Sequence, residues 1–253
     1  MKRLIVNADD CNLTKAVTEA ILDCHGRGIV SSTTFLINLP LRSAQVKRLK
    51  ARKSLGVGLH LNVTLGQPLS APEEVRSLTG AEGEFLGLRR LLVGQPVRQE
   101  VFGEYCRQID RFRKVFGRLP THLDTHHQMH DRSLFLEALV AAAKRYKLPV
   151  RRSRSMEQKR RAGTPDFLFG SLDPACSWTG HALTEVLRNL PEGTSEIMCH
   201  PGQTDVALKA ISSMTSARDR EYRIFCQSRF RKMLGDLGVF LTHYGLCYNA
   251  EKR

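Results

Sequence analysis

Apolar residues along this chain fall into two alternating patterns, which together predict strands separated by helices. Short runs rich in β-branched residues are typical of buried strands. These runs cover residues 3–8, 29–37, 56–63, 121–125, 195–200 and 238–244. Between them, apolar residues recur every three or four positions, which is the spacing of an amphipathic helix. The predicted helices cover residues 16–24, 41–49, 101–116, 134–146, 181–190 and 218–237.

This order of elements predicts the fold class. Strands that alternate with helices from end to end indicate an α/β fold with a parallel sheet, either open or closed into a (β/α) barrel. Neither an internal repeat nor a change in composition divides the chain. We therefore predict that residues 1–253 form one domain.

Two stretches interrupt the alternation. Residues 64–96 hold three prolines and five glycines. A loop of this length inside a domain is usually functional or disordered, and here we expect it to shape a binding site. Residues 151–178 are irregular as well. They begin with the basic run from Arg151 to Arg161, which we interpret as a solvated, loosely ordered loop.

Titratable side chains recur where the predicted strands end. The carboxyl ends of parallel strands lie at one edge of the sheet, where ligands bind in such folds. Each residue alone has an ordinary explanation, such as a helix N-cap for an aspartate or a core position for a histidine. Their coincidence at several strand ends instead indicates a site. The residues are Asp9, Asp10, His60, Asp124, His126 and His200.

A mixed set of carboxylates and imidazoles at one edge favours metal chemistry. One carboxylate and two imidazoles can hold a divalent ion and leave positions open for water and substrate. A second carboxylate could then act as a base, and a further histidine could protonate a leaving group. A metal-dependent phosphoesterase or amidohydrolase is an alternative, although those barrels commonly carry His-x-His where this chain has Asp9 and Asp10. A non-catalytic protein that binds carbohydrate or polyanions is another.

Five motifs in a fixed order extend this interpretation. They are LIVNADD, SSTTFLIN, GLHLNVTLGQPL, PTHLDTHHQMH and EIMCHPG, and they span residues 4–202. In this order and spacing the chain resembles the YdjC/ChbG-like carbohydrate deacetylases. The resemblance implies a (β/α) barrel, often irregular, related to the NodB-type polysaccharide deacetylases. It also implies removal of N-acetyl groups from small amino sugars such as chitooligosaccharides.

The resemblance also implies a role for each motif residue. Asp10, His60 and His126 would bind one divalent metal ion, Mg²⁺ or Zn²⁺. Asp9 would be the general base, and His200 would be the acid that protonates the departing amine. The remaining motif residues would orient the ligands or contact the substrate, and His127 is the one whose role is least defined. These residues are Asp124, His127 and His130.

The chain departs from the usual motifs at two places. It has ADDCN where the family usually has ADDFG, so Cys11 and Asn12 replace an aromatic residue and a glycine. It has DTHHQMH where DSHHHVH is common, so Gln128 stands at a frequent histidine position. All the expected ligands are retained. We expect these changes to affect the substrate pocket.

Charge and cysteine content limit the expected partners and location. The net charge is +14, but no aromatic residue interleaves the basic run and no nucleic-acid-binding motif occurs, so nucleic acid is not expected. The seven cysteines are scattered without a CxxC pair, which favours the reducing cytoplasm. No apolar run has the length of a signal sequence or membrane span. The expected partner is a small N-acetylated carbohydrate, and a homodimer is left open.

Overall fold

One parallel sheet organises the residues that the computed structural model describes, which are 1–153, 163–171 and 173–248. Its strands are β1 (Lys2–Cys11), β2 (Ser32–Phe35), β3 (Gly56–Leu61), β4 (Leu123–Thr125), β5 (Phe167–Phe169), β6 (Gly193–Cys199) and β7 (Phe240–Thr242). The strand order is β4-β3-β2-β1-β6-β5, and β7 also pairs with β1. Every pairing between these strands is parallel, as the alternation in the sequence predicts.

Helices follow most of the strands. They are α1 (Lys15–Arg27), α2 (Ser43–Ala51), α3 (Gly87–Val93), α4 (Arg98–Phe116), α5 (Ser133–Tyr146), α6 (Gly180–Arg188), α7 (Val206–Ile211), α8 (Ser216–Phe225), α9 (Ser228–Asp236) and α10 (Tyr244–Tyr248). Helix α1 begins where the Thr14 side chain accepts a hydrogen bond from the Val17 N–H, and α4 ends at Gly117 in the left-handed conformation. Within the described ranges, no helix is long and apolar enough to cross a membrane.

Strand β1 lies at the centre of the sheet. β6 pairs with one edge of β1 along residues 2–8, while β7 and β2 share the other edge. Strands β4 and β5 end the order and do not pair with each other in the described part of the chain. The prediction of an α/β fold with an irregular barrel is therefore confirmed, and the barrel is open.

Buried apolar side chains explain why β1 takes this place. Leu4, Val6 and Ala8 are fully buried, and so are the residues before and after them along most of the strand. A strand buried on both faces reads as a continuous apolar run rather than as an alternation. The run LIV therefore belongs to a central strand, with Asp9 and Asp10 at its carboxyl end.

Several elements differ between the prediction and the structure. The helix predicted over residues 218–237 is broken into α8 and α9, with Gln227 extended as the N-cap of α9. The stretch 151–178, predicted to be irregular, contributes the edge strand β5. Helices α7 and α10 were not predicted, because they are only six and five residues long. Residues 154–161 of the basic run lie outside the described residues.

The stretch predicted as the long loop 64–96 has more structure than its glycines and prolines indicate. It contains α3, a short 3-10 helix at Pro72–Glu74 and a bridge between Thr79 and Phe85. Val75 and Leu78 are fully buried against the core. The segment is therefore anchored by its own apolar side chains.

His122 is a buried histidine that should make the fold sensitive to acid. Its ring stacks on Tyr244 with centroids 3.7 Å apart, and its Nδ1 lies 3.0 Å from Thr121 Oγ1. Burial lowers the pKa of His122 to about 3, although Asp124 opposes the shift. The unfolded chain gains this proton near pH 6.5, so the stability due to neutral His122 is present above that pH. It is lost as the pH falls from about 6.5 toward 3.

We predict that His122→Phe makes the unfolding free energy less dependent on pH, because phenyl can stack on Tyr244 but cannot take up a proton. Urea unfolding at pH 7.5 and 5.5 measures this dependence. The loss of stability between the two pH values should be smaller in the variant by about 1.4 kcal/mol per pH unit below 6.5. Equal losses in the two proteins would contradict the assignment. His122 carries no predicted catalytic role, so activity at pH 7.5 is the control.

Candidate active site

An irregularity at the end of β1 brings two consecutive aspartates to one cavity. Successive residues of a regular strand point to opposite faces of the sheet. The pairing of β1 with β2 shifts register between Ala8 and Cys11, and Asp10 has a left-handed φ of 67°. Both Asp9 and Asp10 therefore line the same cavity. A non-glycine residue in this conformation costs of order 1–3 kcal/mol, and such strain is concentrated at functional sites.

Asp10 lies between two imidazoles. Its Oδ1 is 3.2 Å from His60 Nε2 and 3.0 Å from His126 Nδ1. One ligand atom from each of the three residues lies within 4.8 Å of the others, and all three side chains are buried. A carboxylate oxygen and two imidazole nitrogens at this spacing can bind a divalent cation. The structure thus brings together the three residues that the resemblance implies as ligands.

The orientation of the His60 ring is fixed through the nitrogen that does not face Asp10. Its Nδ1 lies 2.7 Å from Asp124 Oδ1, so Nε2 faces Asp10. Thr34 Oγ1 in turn donates to Asp124 Oδ2 at 3.0 Å. A carboxylate behind a histidine is the usual way in which proteins fix the tautomer of a metal-binding imidazole. Asp124 therefore occupies the supporting position expected for it.

Asp9 is held by a buried arginine. Arg151 Nη1 and Nη2 donate to the two carboxylate oxygens of Asp9, each at 2.6 Å. The same guanidinium contacts Asp124 Oδ2 at 2.8 Å and Glu196 Oε1 at 2.9 Å, and it is fully buried. The interpretation of Arg151 as part of a solvated loop is therefore wrong. The attraction between the guanidinium and the three carboxylates offsets the free-energy cost of removing these charges from water.

A second group of possible metal ligands shares His60 with the first. Asp9, His60 and Asp124 also offer ligand atoms within 4.8 Å of one another. Arg151 donates hydrogen bonds to both of its carboxylates, so a positive charge already lies against this group. Arg218 contacts only Oδ2 of Asp10 and leaves Oδ1 facing the two imidazoles, so the donors favour a cation at Asp10, His60 and His126.

His200 also lies close to Asp9. Its Nε2 is 3.8 Å from Asp9 Oδ2, and its backbone N–H donates to Glu221 Oε2 at 2.6 Å. Burial lowers the pKa of His200, and Asp9 and Glu221 oppose that shift. A lowered pKa makes the protonated imidazole a stronger acid. The predicted base and the predicted acid thus lie next to each other in the cavity lining.

The turn after β4 carries the other motif histidines. His127 and Gln128 are both left-handed, with φ of 56° and 48°. His127 Nδ1 lies 2.9 Å from Thr64 Oγ1, which joins this turn to the segment after β3. His130 Nδ1 lies 2.6 Å from Thr125 Oγ1 instead of contacting a ligand side chain. His130 therefore supports the turn itself, whereas His127 and Gln128 line the cavity.

Electrostatics at the site follow from the burial of opposite charges. Burial favours the neutral form of Asp10, but Arg218 and the two imidazoles outweigh it and hold the pKa of this carboxyl well below its usual range. Burial likewise disfavours charge on His60, yet Asp124 and Asp10 raise its pKa to about 10. Negative charge is thus retained on Asp10, which a metal ligand needs.

The cavity has a volume of about 350 Å³ and two kinds of wall. The polar wall carries Arg218 from α8 together with the lining aspartates and histidines, which are Asp9, Asp10, His60, His126, His127 and His200. The apolar wall comes from the loop after β1, from α3, from the end of α7 and from the segment after it, which also brings Ser212 and Ser213. The non-polar lining residues are Leu13, Leu88, Ile211 and Met214. Among the described residues, this is the cavity at the carboxyl ends of the strands, where the parallel sheet predicts a ligand.

The departures from the usual motifs have different consequences. Cys11 is fully buried in the core, and the amide of Asn12 donates to the Leu36 carbonyl at 2.9 Å. Neither residue lines the cavity, whereas Gln128 does. Asn12 adopts a left-handed φ of 76°, which asparagine tolerates better than most residues and which a glycine would also allow. We therefore expect Gln128 to be the departure that affects the substrate pocket.

Comparison with known proteins agrees with this site. The family model described as YdjC-like protein matches residues 3–236. A carbohydrate deacetylase of Thermoanaerobacter pseudethanolicus is 34% identical over 253 residues, covering 97% of this chain and 99% of that protein. A carbohydrate deacetylase of Geobacillus stearothermophilus is 33% identical, covering 95% of this chain and 96% of that protein.

Solved structures show the same fold. A protein of Enterococcus faecalis, described as a candidate cellobiose-phosphate cleavage protein, superposes with a TM-score of 0.88 at 33% identity and covers 98% of this chain and 99% of its own. A family 4 carbohydrate esterase of Streptomyces lividans, in complex with acetate, gives a TM-score of 0.53 at 11% identity over 94% of this chain and 91% of its own. At 11% identity, the comparison with the Streptomyces lividans esterase shows a similarity of fold only.

Together, the open parallel barrel and the related proteins define an enzyme of the deacetylase class of hydrolases. More particularly, the chain belongs to the YdjC-like family, whose model covers nearly all of it. The resemblance found in the sequence motifs is thereby confirmed.

Two arginines of the site were missed in the sequence. Arg151 follows Val150, which forms a parallel bridge with Leu123 of β4, so it too stands at the end of an extended segment. The rule that identified the other site residues could have found it there. Arg218 lies on α8, and no local signal marks it. Its contact with Asp10 depends on the tertiary fold alone.

We predict that Arg151→Met destabilises the protein by about 3–5 kcal/mol, because removal of the guanidinium leaves three buried carboxylates without their shared cation. Urea unfolding at pH 7 measures the loss. Arg152→Met is the matched control, since Arg152 is adjacent and only partly buried, and it should cost less than 1 kcal/mol. A loss of similar size in both variants would show that Arg151 does not hold the carboxylates.

Proposed function

We propose that this enzyme removes the N-acetyl group of an acetylated amino sugar or short chitooligosaccharide-like carbohydrate with the help of one divalent metal ion, Mg²⁺ or Zn²⁺. The observation that supports it is the grouping of Asp10, His60 and His126 within 4.8 Å, in the same cavity as Asp9 and His200. Curated relatives named carbohydrate deacetylases support the choice of substrate class. We place the enzyme in the cytoplasm, with which its free cysteines are compatible.

The residues suit the proposed metal in donor type, and a metal at His60 Nε2 would displace the proton that the raised pKa of His60 keeps on the ring. Asp10 stays ionised, and the Nε2 atom of His60 is directed at it because Asp124 holds the other ring nitrogen. His126 offers its Nδ1 to the same oxygen of Asp10. When bound, a divalent ion would polarise the acetyl carbonyl and lower the pKa of an attacking water.

The chain's own residues would supply the proton transfers. Asp9 takes a proton from the water as its oxygen adds to the acetyl carbon. His200 then gives a proton to the sugar nitrogen as the C–N bond breaks, so acetate and a free amine leave. The 3.8 Å between His200 Nε2 and Asp9 Oδ2 places donor and acceptor within reach of one tetrahedral carbon. Arg151 holds the Asp9 carboxylate in one orientation during these steps.

Asp9→Asn should retain metal and abolish turnover, because the amide oxygen can still accept one hydrogen bond from Arg151 but the side chain can no longer take up the proton. His126→Ala should lose metal, because it removes one of three ligands. Metal content after dialysis and acetate release from N-acetylated sugars measure the two effects separately. Full acetate release by the Asp9→Asn variant would show that Asp9 is not the base.

Metal analysis of the purified protein, combined with a screen for acetate release, tests the proposal as a whole. The screen should contain N-acetylated mono- and oligosaccharides, and phosphorylated disaccharides as well, given the description of the Enterococcus faecalis protein. Activity should disappear on exhaustive chelation and return with added Mg²⁺ or Zn²⁺. Activity that survives chelation would rule out the metal mechanism.

The apolar wall should set substrate preference. Leu88 enters the cavity from α3, within the segment 64–96. Leu88→Ala should change the ratio of kcat/KM between mono- and oligosaccharide substrates by about tenfold, because a pocket contact of this size discriminates by 1–3 kcal/mol. Metal affinity should be unchanged. Leu92→Ala is the control, since Leu92 lies on the same helix, is exposed and does not line the cavity. An unchanged ratio in Leu88→Ala would contradict a role in specificity.

A further inference from the structure

Arg218 makes a contact that none of the assigned roles explains. From α8 it reaches the cavity and donates from Nη2 to Asp10 Oδ2 at 2.5 Å. The other oxygen of that carboxylate, Oδ1, is the one that faces His60 and His126. The two oxygens of Asp10 are therefore used differently, one by the guanidinium and one by the imidazoles.

The position of the guanidinium is itself fixed. Arg218 Nε donates to the Met214 carbonyl at 3.1 Å, and the side chain is almost completely buried. Gly202, from the CHPG motif, packs against its aliphatic stem. A Cβ at Gly202 would lie 3.2 Å from Arg218 Cδ and 3.3 Å from Arg218 Cβ. Gly202 has no left-handed φ, so close packing against Arg218 and Val17 is what favours glycine there.

Stability is a poor explanation for this arrangement. Arg218 Nη1 is buried and has no hydrogen-bond partner within the described ranges. An unpartnered buried donor costs free energy, and such groups are rare unless function retains them. An ion pair of this kind is often no more stabilising than apolar side chains of similar size.

We propose that Arg218 is a positioning residue that keeps Asp10 a single-oxygen metal ligand. By engaging Oδ2, it leaves Oδ1 alone to face the cation position and prevents the carboxylate from binding through both oxygens. The positions that Oδ2 would otherwise take are left for water and the acetyl oxygen. This inference rests on the proposed function, in which Asp10, His60 and His126 hold the metal.

The test compares Arg218→Met with wild type in three measurements, which are Zn²⁺ affinity by calorimetry, the visible spectrum of the Co²⁺-loaded protein, and acetate release. We expect kcat to fall about 10–100-fold, a typical cost for a residue that orients a ligand. Zn²⁺ affinity should be equal or higher, because a positive charge beside the site has been removed. The Co²⁺ absorption should weaken, as expected for a higher coordination number.

Further variants separate positioning from a structural role. Arg218→Lys keeps one charged donor and should recover part of kcat and most of the Co²⁺ spectrum. Gly202→Ala should act in the same direction as Arg218→Met but less strongly, because it displaces the stem without removing the charge. Arg223→Met is the matched control, since Arg223 is an exposed arginine of the same helix, and it should resemble wild type in all three measurements.

The inference fails if Arg218→Met loses Zn²⁺ affinity and melting temperature together while its Co²⁺ spectrum stays unchanged, because that is the behaviour of a merely structural residue. It also fails if Arg218→Met retains wild-type kcat. The Co²⁺ comparison does not require turnover. An absence of acetate release from every sugar by wild type would therefore contradict the proposed function and leave the positioning role to be decided by the spectrum.

Discussion

The site depends on the pairing of buried opposite charges, above all on the guanidinium of Arg151. This one cation contacts Asp9, Asp124 and Glu196, which come from β1, β4 and β6. Burial of three carboxylates without it would favour their protonation or exclude them from the core. With it, Asp9 stays oriented, and Asp124 stays available to hold His60. Arg151 therefore makes it possible to place so many acidic groups at the centre of an apolar sheet.

Strained backbone conformations also help to place the side chains of the site. Asp10, His127 and Gln128 are all left-handed, and each is a cavity residue. A regular end to β1 would turn Asp9 or Asp10 away from the cavity, and a regular turn after β4 would aim the histidines differently. The surrounding core is rigid enough to hold these conformations. Among the described residues, three of the five left-handed non-glycine residues thus line the cavity, whereas Asn12 and Lys147 do not.

The sequence was informative where periodicity or motif order reflects the fold. It predicted the parallel α/β sheet, most strands and helices, and the set of residues that meets at one edge. It was less informative where long-range contacts decide. The burial of Arg151 and the reach of Arg218 to Asp10 come from elements far apart in the chain. The break between α8 and α9 occurs without glycine or proline, so composition gave no sign of it.

The central place of β1 also bears on how the chain reaches its native state. β1 is the first strand, yet Lys2 lies opposite Gly193 of β6, and Arg3 lies opposite Phe240 of β7. Pairings between such distant segments require large loops to close before they stabilise anything, which slows folding. While synthesis proceeds, an apolar strand made early lacks its partners on one edge and is open to association with other chains. The position of β1 between β2, β6 and β7 therefore leaves much of its backbone unpaired until residues 193–242 have been made.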